Sequence, residues 1–272
     1  MSRLHRRWDA LAWTEFRDLP EACVAILPVA AIEQHGPHLP LAVDAALNAG
    51  ILDRALARVP DLPLLVLPAQ PVGHSPEHAR FAGTLSLGAE TILALWSELG
   101  ACVARAGVRR LLIFNSHGGQ PQLVELVCRR LRATHGMFAI GTSWFDLARN
   151  APAEAALPEA ERRWGIHAGA IETAMMRHLH PDAVREDKVA DFTPAWAARS
   201  ATHAQLAPHG GVGFGWQTQD LNPHGAVGDA RLGDAALGGR IVDQAAAALA
   251  TLLTEISRFD IAGWMREAPD GG

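Results

Sequence analysis

The chain has no tyrosine, a single lysine (Lys188) and only three cysteines in 272 residues. Without a phenol, mechanisms that use a tyrosyl acid or nucleophile are excluded. Cys23, Cys102 and Cys128 are odd in number, widely spaced and set in apolar runs. They exclude a disulfide framework and a Cys-rich zinc cluster, and read as buried, reduced thiols of a cytoplasmic protein. Positive charge is scarce too: 24 Lys and Arg against 29 Asp and Glu give a formal charge of -5, with a pI near 6.2. A dedicated nucleic-acid surface would be basic, so that class of partner is excluded. Long hydrophobic runs are also missing. The longest, residues 22–32, falls far short of the ~20 residues a bilayer requires, and no membrane partner is expected. Arg3, Arg6 and Arg7 give a basic start, but Asp9, Glu15, Arg17 and Asp18 break any signal-peptide core after them.

What the chain does have is 49% hydrophobic against 19% charged residues, enough for one large core. Short apolar runs alternate with helical periodicities. Residues 23–29, 64–67, 110–115 and 137–143 read as strands, the first of them buried on both faces. Residues 44–58, 88–106 and 121–135 read as helices, as does an Ala-rich stretch at 234–256. In the second of these, Ile92, Leu95, Trp96, Leu99 and Val103 recur at three- and four-residue steps. Such alternation implies crossover connections and a mostly parallel central sheet flanked by helices. The expectation is an α/β fold, a single domain over 1–272 with an N-terminal extension at 1–20. Residues 150–164, rich in Ala, Glu and Arg, form a surface helix or lid. Residues 193–229, rich in Gly and His, are too long for a plain connector and make a functional loop or a subunit contact.

In open parallel sheets, ligands bind beyond the carboxyl ends of the strands. The histidine clusters fall there. The first strand is followed by Glu33-Gln34-His35-Gly36-Pro37-His38 and then Asp44, the second by His74-Ser75-Pro76-Glu77-His78, the third by His117-Gly118-Gly119. His167 and Glu172 flank a further helix start. Glu33, His35 and Asp44 offer two carboxylates and an imidazole, ligation suited to Zn or Mn. The plainer reading makes Asp44 a helix cap beside an exposed loop. His117 with two glycines is either a ligand with an open approach or an incidental His in a turn. Glu172 lies among small and apolar residues, and a buried carboxylate needs a charge partner or a metal. Ser75 has no nucleophile-elbow motif around it, so Ser75 and His78 read as hydrogen-bonding groups toward substrate or ligands.

Taken together, Glu33-Gln34-His35-Gly36-Pro37-His38-Leu39-Pro40 with Asp44, Gly73-His74-Ser75 with Glu77-His78, Phe81 with Gly83-Thr84-Leu85, Asn115 with His117-Gly118-Gly119, and His167-Ala168-Gly169 with Glu172-Thr173 resemble the creatininase family of metal-dependent amidohydrolases. The resemblance covers residues 26–186, and more weakly 225–239. It implies a compact α/β fold, assembly as a homohexamer, and two divalent ions per subunit, Zn and/or Mn with Fe compatible. Glu33, Asp44 and His117 would hold one ion; His35, Asp44 and Glu172 the other, with Asp44 bridging. His167 would protonate the departing nitrogen. Ser75, His78, Gly118 and Trp164 would contact the substrate.

Creatinine-hydrolysing members carry Tyr-Glu where Gly118 and Gly119 stand here, and a Trp-Asp pair that Trp164-Gly165 matches only with an offset. These departures point away from creatinine and toward relatives that cleave formamides or trim a mycofactocin precursor peptide. The expected activity is hydrolysis of a C–N amide bond in a cyclic amide, formamide or short peptide. A phosphoesterase is disfavoured because the clusters bring no Arg or Lys beyond Arg80. A non-catalytic metal-binding or structural oligomer is the reading from another class.

Overall fold

The computed structural model describes residues 7–148, 153–209 and 211–264, so parts of the expected 1–20 extension, 150–164 helix and 193–229 loop lie outside the described residues. Four parallel strands, Val24–Val29 (β1), Leu64–Val66 (β2), Arg110–Asn115 (β3) and Phe138–Ser143 (β4), form a sheet in the order β2-β1-β3-β4. Val24 stands beside Leu64 and Arg110, Val29 beside Asn115, and Asn115 beside Ser143. Because the register ends together, the segments leaving β1, β3 and β4 emerge at one edge.

Strand side chains alternate between faces. Val24, Ile26, Leu112 and Phe114 enter one apolar cluster; Ala25, Leu27, Val29, Leu111 and Ile113 enter the other. Both faces are covered, which is why these runs are continuously apolar rather than alternating. The first face is covered by Val43–Arg58 (α1), Ala170–Leu179 (α6) and Ala235–Arg258 (α9). The second is covered by Ala89–Arg105 (α2) and Pro121–His135 (α3). Trp144–Ala148 (α4), Glu159–Trp164 (α5), Trp196–Arg199 (α7), Thr218–Leu221 (α8) and Ile261–Trp264 (α10) are short, and Asp191–Phe192 (β5) pairs antiparallel with Gly228–Asp229 (β6).

Local chemistry sets the ends. α3 opens on Pro121 and closes at Gly136, whose φ of 60° only glycine adopts without strain. Asp234 caps α9 by accepting from the Leu237 N–H at 2.6 Å. Among the described residues α9 alone is long and apolar enough to cross a bilayer, but its stripe from Leu237 to Ile256 is buried against α1, α4 and α6. At the amino end of the sheet, the buried Arg110 guanidinium donates to the carbonyls of Glu21 (2.6 Å), Phe259 (2.9 Å) and Ile256 (3.1 Å).

The cysteine expectation needs one correction. Cys23 and Cys128 are buried, but Cys102 is exposed. On α2 the buried positions are Ile92, Trp96, Gly100 and Val103, and residue 102 points about 100° away from its buried neighbour.

α6 and α9 cross with backbones in contact at Gly238. A Cβ there would overlap the Ala174 carbonyl oxygen and lie 2.8 Å from the Met175 nitrogen. In a free helix Gly→Ala stabilises by about 1 kcal/mol. Here Gly238→Ala is expected to reverse that sign and destabilise by about 1–3 kcal/mol through overpacking, a fall of a few degrees in Tm by calorimetry. An unchanged or raised Tm would show that the helices slide apart without cost.

Candidate metal centre

Each chemically active side chain leaves the carboxyl edge of the sheet on a pinned segment. Glu33 and His35 follow β1, and the Glu33 N–H donates to the Leu41 carbonyl at 3.0 Å. Asp44 sits in the first turn of α1, where the helix dipole favours a carboxylate, while Ala42 rather than Asp44 occupies the cap position. His117 is held by Asn115, whose Oδ1 accepts from the His117 N–H at 3.0 Å and whose amide donates to the His117 carbonyl at 2.7 Å. His167, on the near side of that helix start, pairs with Val227, its N–H donating at 3.2 Å and its carbonyl accepting at 2.7 Å. The helix begins only at Ala170. Between them Ala168 adopts a left-handed φ of 51°, unusual for a residue with a Cβ. That turn brings the Ala168 N–H to Glu172 Oε2 at 2.5 Å.

Buried amides that sequence reasoning gave no role tie these segments together. Asn48 donates to the carbonyls of Phe114 (2.9 Å) and Val29 (3.2 Å). Gln120 donates to the Asn115 side chain at 2.9 Å and accepts from the His74 N–H at 3.0 Å. Gln34 accepts from the Gly36 N–H at 2.9 Å and donates to the Gly225 carbonyl at 2.8 Å. The one sequence signal was their position inside or beside the histidine clusters.

The structure brings together all of Glu33, His35, Asp44, His117, His167 and Glu172. Asp44 faces two imidazoles at once: Oδ1 lies 3.5 Å from His35 Nε2 and Oδ2 lies 3.3 Å from His117 Nδ1. Glu33 Oε2 is 3.2 Å from His117 Nδ1, and Glu172 Oε2 is 3.9 Å from His35 Nε2. Four overlapping triples, Glu33/His78/His167, His35/His167/Glu172, Glu33/His35/Asp44 and Glu33/Glu77/His117, each place ligand atoms within 4.8 Å of one another.

Backbone carbonyls assign the imidazole tautomers, because a carbonyl only accepts. His35 Nδ1 donates to the Glu33 carbonyl (3.1 Å), His117 Nε2 to the His74 carbonyl (3.0 Å) and His167 Nε2 to the Gln34 carbonyl (2.7 Å). Their other nitrogens therefore face the centre with a lone pair when neutral. His78 is the reverse. Its Nδ1 accepts from the Gln34 amide (2.7 Å), so its Nε2 carries the hydrogen, 3.4 Å from Glu33 Oε1.

Electrostatics sorts the same rings. Burial disfavours a charge on His35, but Asp44 and Glu172 outweigh it and hold the pKa well above 6.5. Burial likewise opposes charge on His117, and Glu33, Asp44 and Glu77 override it. Burial and neighbouring His35 push His167 down to about 4. Burial pushes His78 strongly down, reinforced by the surrounding imidazoles. Burial raises Glu172, yet His35 pulls it to about 2. The carboxylates thus create a field that favours positive charge at His35 and His117.

These residues fit divalent cations. The buried atoms His35 Nε2 and Asp44 Oδ2 have no hydrogen-bond partner. Donors about 2.1 Å from a tetrahedral ion stand about 3.4 Å apart, close to the separations above. The remaining candidates are less central. Ser75 donates to Glu33 Oε2, and His78 borders the same carboxylate. Gly118 is exposed, and a Cβ there would meet nothing within 4 Å. Trp164, on α5, is half-buried with the Arg163 guanidinium 4.7 Å from its ring centroid, and makes no hydrogen bond or ring contact with the described acid–histidine cluster.

Residues 9–253 match the family model for creatininase, described as creatinine amidohydrolase. A creatinine amidohydrolase of Pseudomonas putida is 32% identical over 200 residues, 68% of this chain and 76% of that protein. A mycofactocin precursor peptide peptidase of Mycobacterium ulcerans (strain Agy99) is 32% identical over 256 residues, 88% of this chain and 90% of that protein. Among solved structures, a crystal structure of creatinine amidohydrolase has a TM-score of 0.77 at 26% identity, covering 94% of this chain and 99% of that one. A manganese creatininase gives 0.75 at 26% identity, with 92% and 98% coverage. A mutant creatininase of Zn–Zn type gives 0.72 at 26%, with 92% and 97% coverage.

Proposed function

The chain belongs to the creatininase family of amidohydrolases, and from that premise we propose that it hydrolyses an amide C–N bond at a two-metal centre. Glu33, Asp44 and His117 would hold one divalent cation; His35, Asp44 and Glu172 would hold the other. The observation that carries this reading is Asp44, one carboxylate oxygen toward His35 and the other toward His117, the arrangement a bridging ligand needs. Bound there, Zn or Mn (Fe also suits N/O donors) supplies activated water near neutral pH and polarises the amide carbonyl.

The chain's own groups do the rest. Glu33 is oriented from two sides, by the Ser75 hydroxyl and by the His78 Nε2–H. His167 is anchored through Nε2, leaving Nδ1, 3.8 Å from Glu33 Oε1, to take up a proton and pass it to the departing nitrogen. The Gln34–Gly225 and Thr218–Glu77 hydrogen bonds draw residues 218–225 against the centre and limit water around it.

The substrate we infer is a small cyclic amide, formamide or short peptide. Gly118 and Gly119, standing where creatinine-hydrolysing members carry Tyr-Glu, favour the formamide or peptide forms over creatinine. The test is an amide panel containing creatinine, formamides and short peptides. Turnover of at least one member is expected, lost on chelation and restored by Zn or Mn. Turnover that persists in metal-free protein, or no turnover of any amide by metal-loaded protein, would overturn the reading.

A further inference from the structure

Glu77 is absent from the ligand set above, yet its Oε1 lies 3.4 Å from His117 Nε2, and its side chain is only 15% exposed. The geometry separates the two nitrogens of that ring. Nδ1 faces Glu33 and Asp44 at 3.2 and 3.3 Å. Nε2 points the other way, donating to the His74 carbonyl at 3.0 Å with Glu77 beside it.

The space that Glu77 occupies exists because residue 119 has no side chain. A Cβ at Gly119 would overlap Glu77 Oε1, and would lie 2.9 Å from the Glu77 carboxyl carbon and 2.5 Å from His117 Nε2. The carboxylate therefore enters from the loop after β2 into a volume that the loop after β3 leaves empty. Its own backbone is fixed there by the Thr218 hydroxyl, which donates to the Glu77 carbonyl at 3.0 Å.

We propose that Glu77 is a positioning residue for the cation held by His117, acting on the far nitrogen of that imidazole from the space left open by Gly119. A carboxylate beside the N–H of a ligating imidazole fixes the ring's orientation and makes its opposite nitrogen a better donor. Gly119 is then required by Glu77 as much as by any approaching substrate. The inference rests on the two-metal reading and names a residue outside its ligand set.

The test is a zinc titration of metal-free protein against a chromophoric competing chelator, with Zn2+ alone as the probe. Wild type is expected to show two sites. Glu77→Gln should weaken one of them about 10–100-fold, the effect usual for such outer partners, and leave the other unchanged. The surviving site should match the one that survives in His117→Ala. Thermal unfolding of the metal-free proteins serves as the folding control, and Glu77→Gln should match wild type within about 2 °C on the usual Tm scaling. Two unchanged sites in Glu77→Gln beside two in wild type would overturn the role of Glu77 alone. Wild type that binds no zinc would overturn it together with the two-metal reading.

Discussion

Asp44→Ala is expected to empty both cation positions at once and to lower turnover at least ~10³-fold. The reason is topological rather than a matter of charge count. Glu33 lies 3.2 Å from His117 but 3.9 Å from His35, and Glu172 reaches only His35, at 3.9 Å, whereas the two oxygens of Asp44 approach both rings, at 3.5 and 3.3 Å. Metal ions of this kind supply several kcal/mol of transition-state stabilisation, and each 1.36 kcal/mol is a factor of ten in rate. Metal analysis of the purified variant should find less than one equivalent. Glu172→Ala, by contrast, should keep the ion on the His117 side. If Asp44→Ala retains one full equivalent, Asp44 is a ligand of one ion and the bridging arrangement is wrong.

Glu161→Ala is expected to give the largest loss of stability among substitutions outside the ligand set, about 3–6 kcal/mol. Glu161 is 6% exposed on α5. Its Oε1 accepts from the Ala170 N–H at 2.8 Å and its Oε2 from the Asp229 N–H at 2.6 Å. Three glycines close around the carboxylate: Cβ atoms at Gly169 and Gly228 would lie 2.5 and 2.7 Å from Oε1, and one at Gly165 would overlap it. Truncation leaves two buried N–H groups unpaired at about 1–3 kcal/mol each, in addition to the void. The expected fall in Tm is about 6–15 °C by calorimetry. A shift below about 2 °C would mean that water replaces the carboxylate without cost. The clamp joins the first turn of α6, which carries Glu172, to the segment that pairs with His167. Turnover at a temperature where the variant is still folded should therefore fall as well.

These two residues show where sequence reading reaches and where it stops. Residues 110–115 are legible as a strand because both of its faces are covered, so Leu111 to Phe114, between Arg110 and Asn115, are all apolar. The acid and histidine clusters are legible as candidates because the chain must leave a parallel sheet at one edge, and Glu33, Asp44 and His117 all come within a few residues of that edge. Glu161 is not legible. It stands in an Ala/Glu/Arg-rich stretch that reads as a solvated helix or lid, and its partners are Ala170 and Asp229, the latter 68 positions away. Glu77 was grouped with its neighbours, but its relation to Gly119 exists only in space. The left-handed turn at Ala168 has no local signature, since alanine rarely adopts it. That turn is why His167 lies in an extended pair and not on the helix with Glu172. Which nitrogen each imidazole offers depends on the carbonyls of residues 33, 74 and 34, which no side-chain spacing encodes.

The guanidinium of Arg110 gathers the carbonyls of Glu21, Ile256 and Phe259 at the first residue of β3, while His117 follows its last. A six-residue strand spans about 20 Å, so the late part of the chain is fastened a strand's length from the reacting edge. An attachment made at Ile256 or Phe259 therefore acts at the far end of β3 from His117.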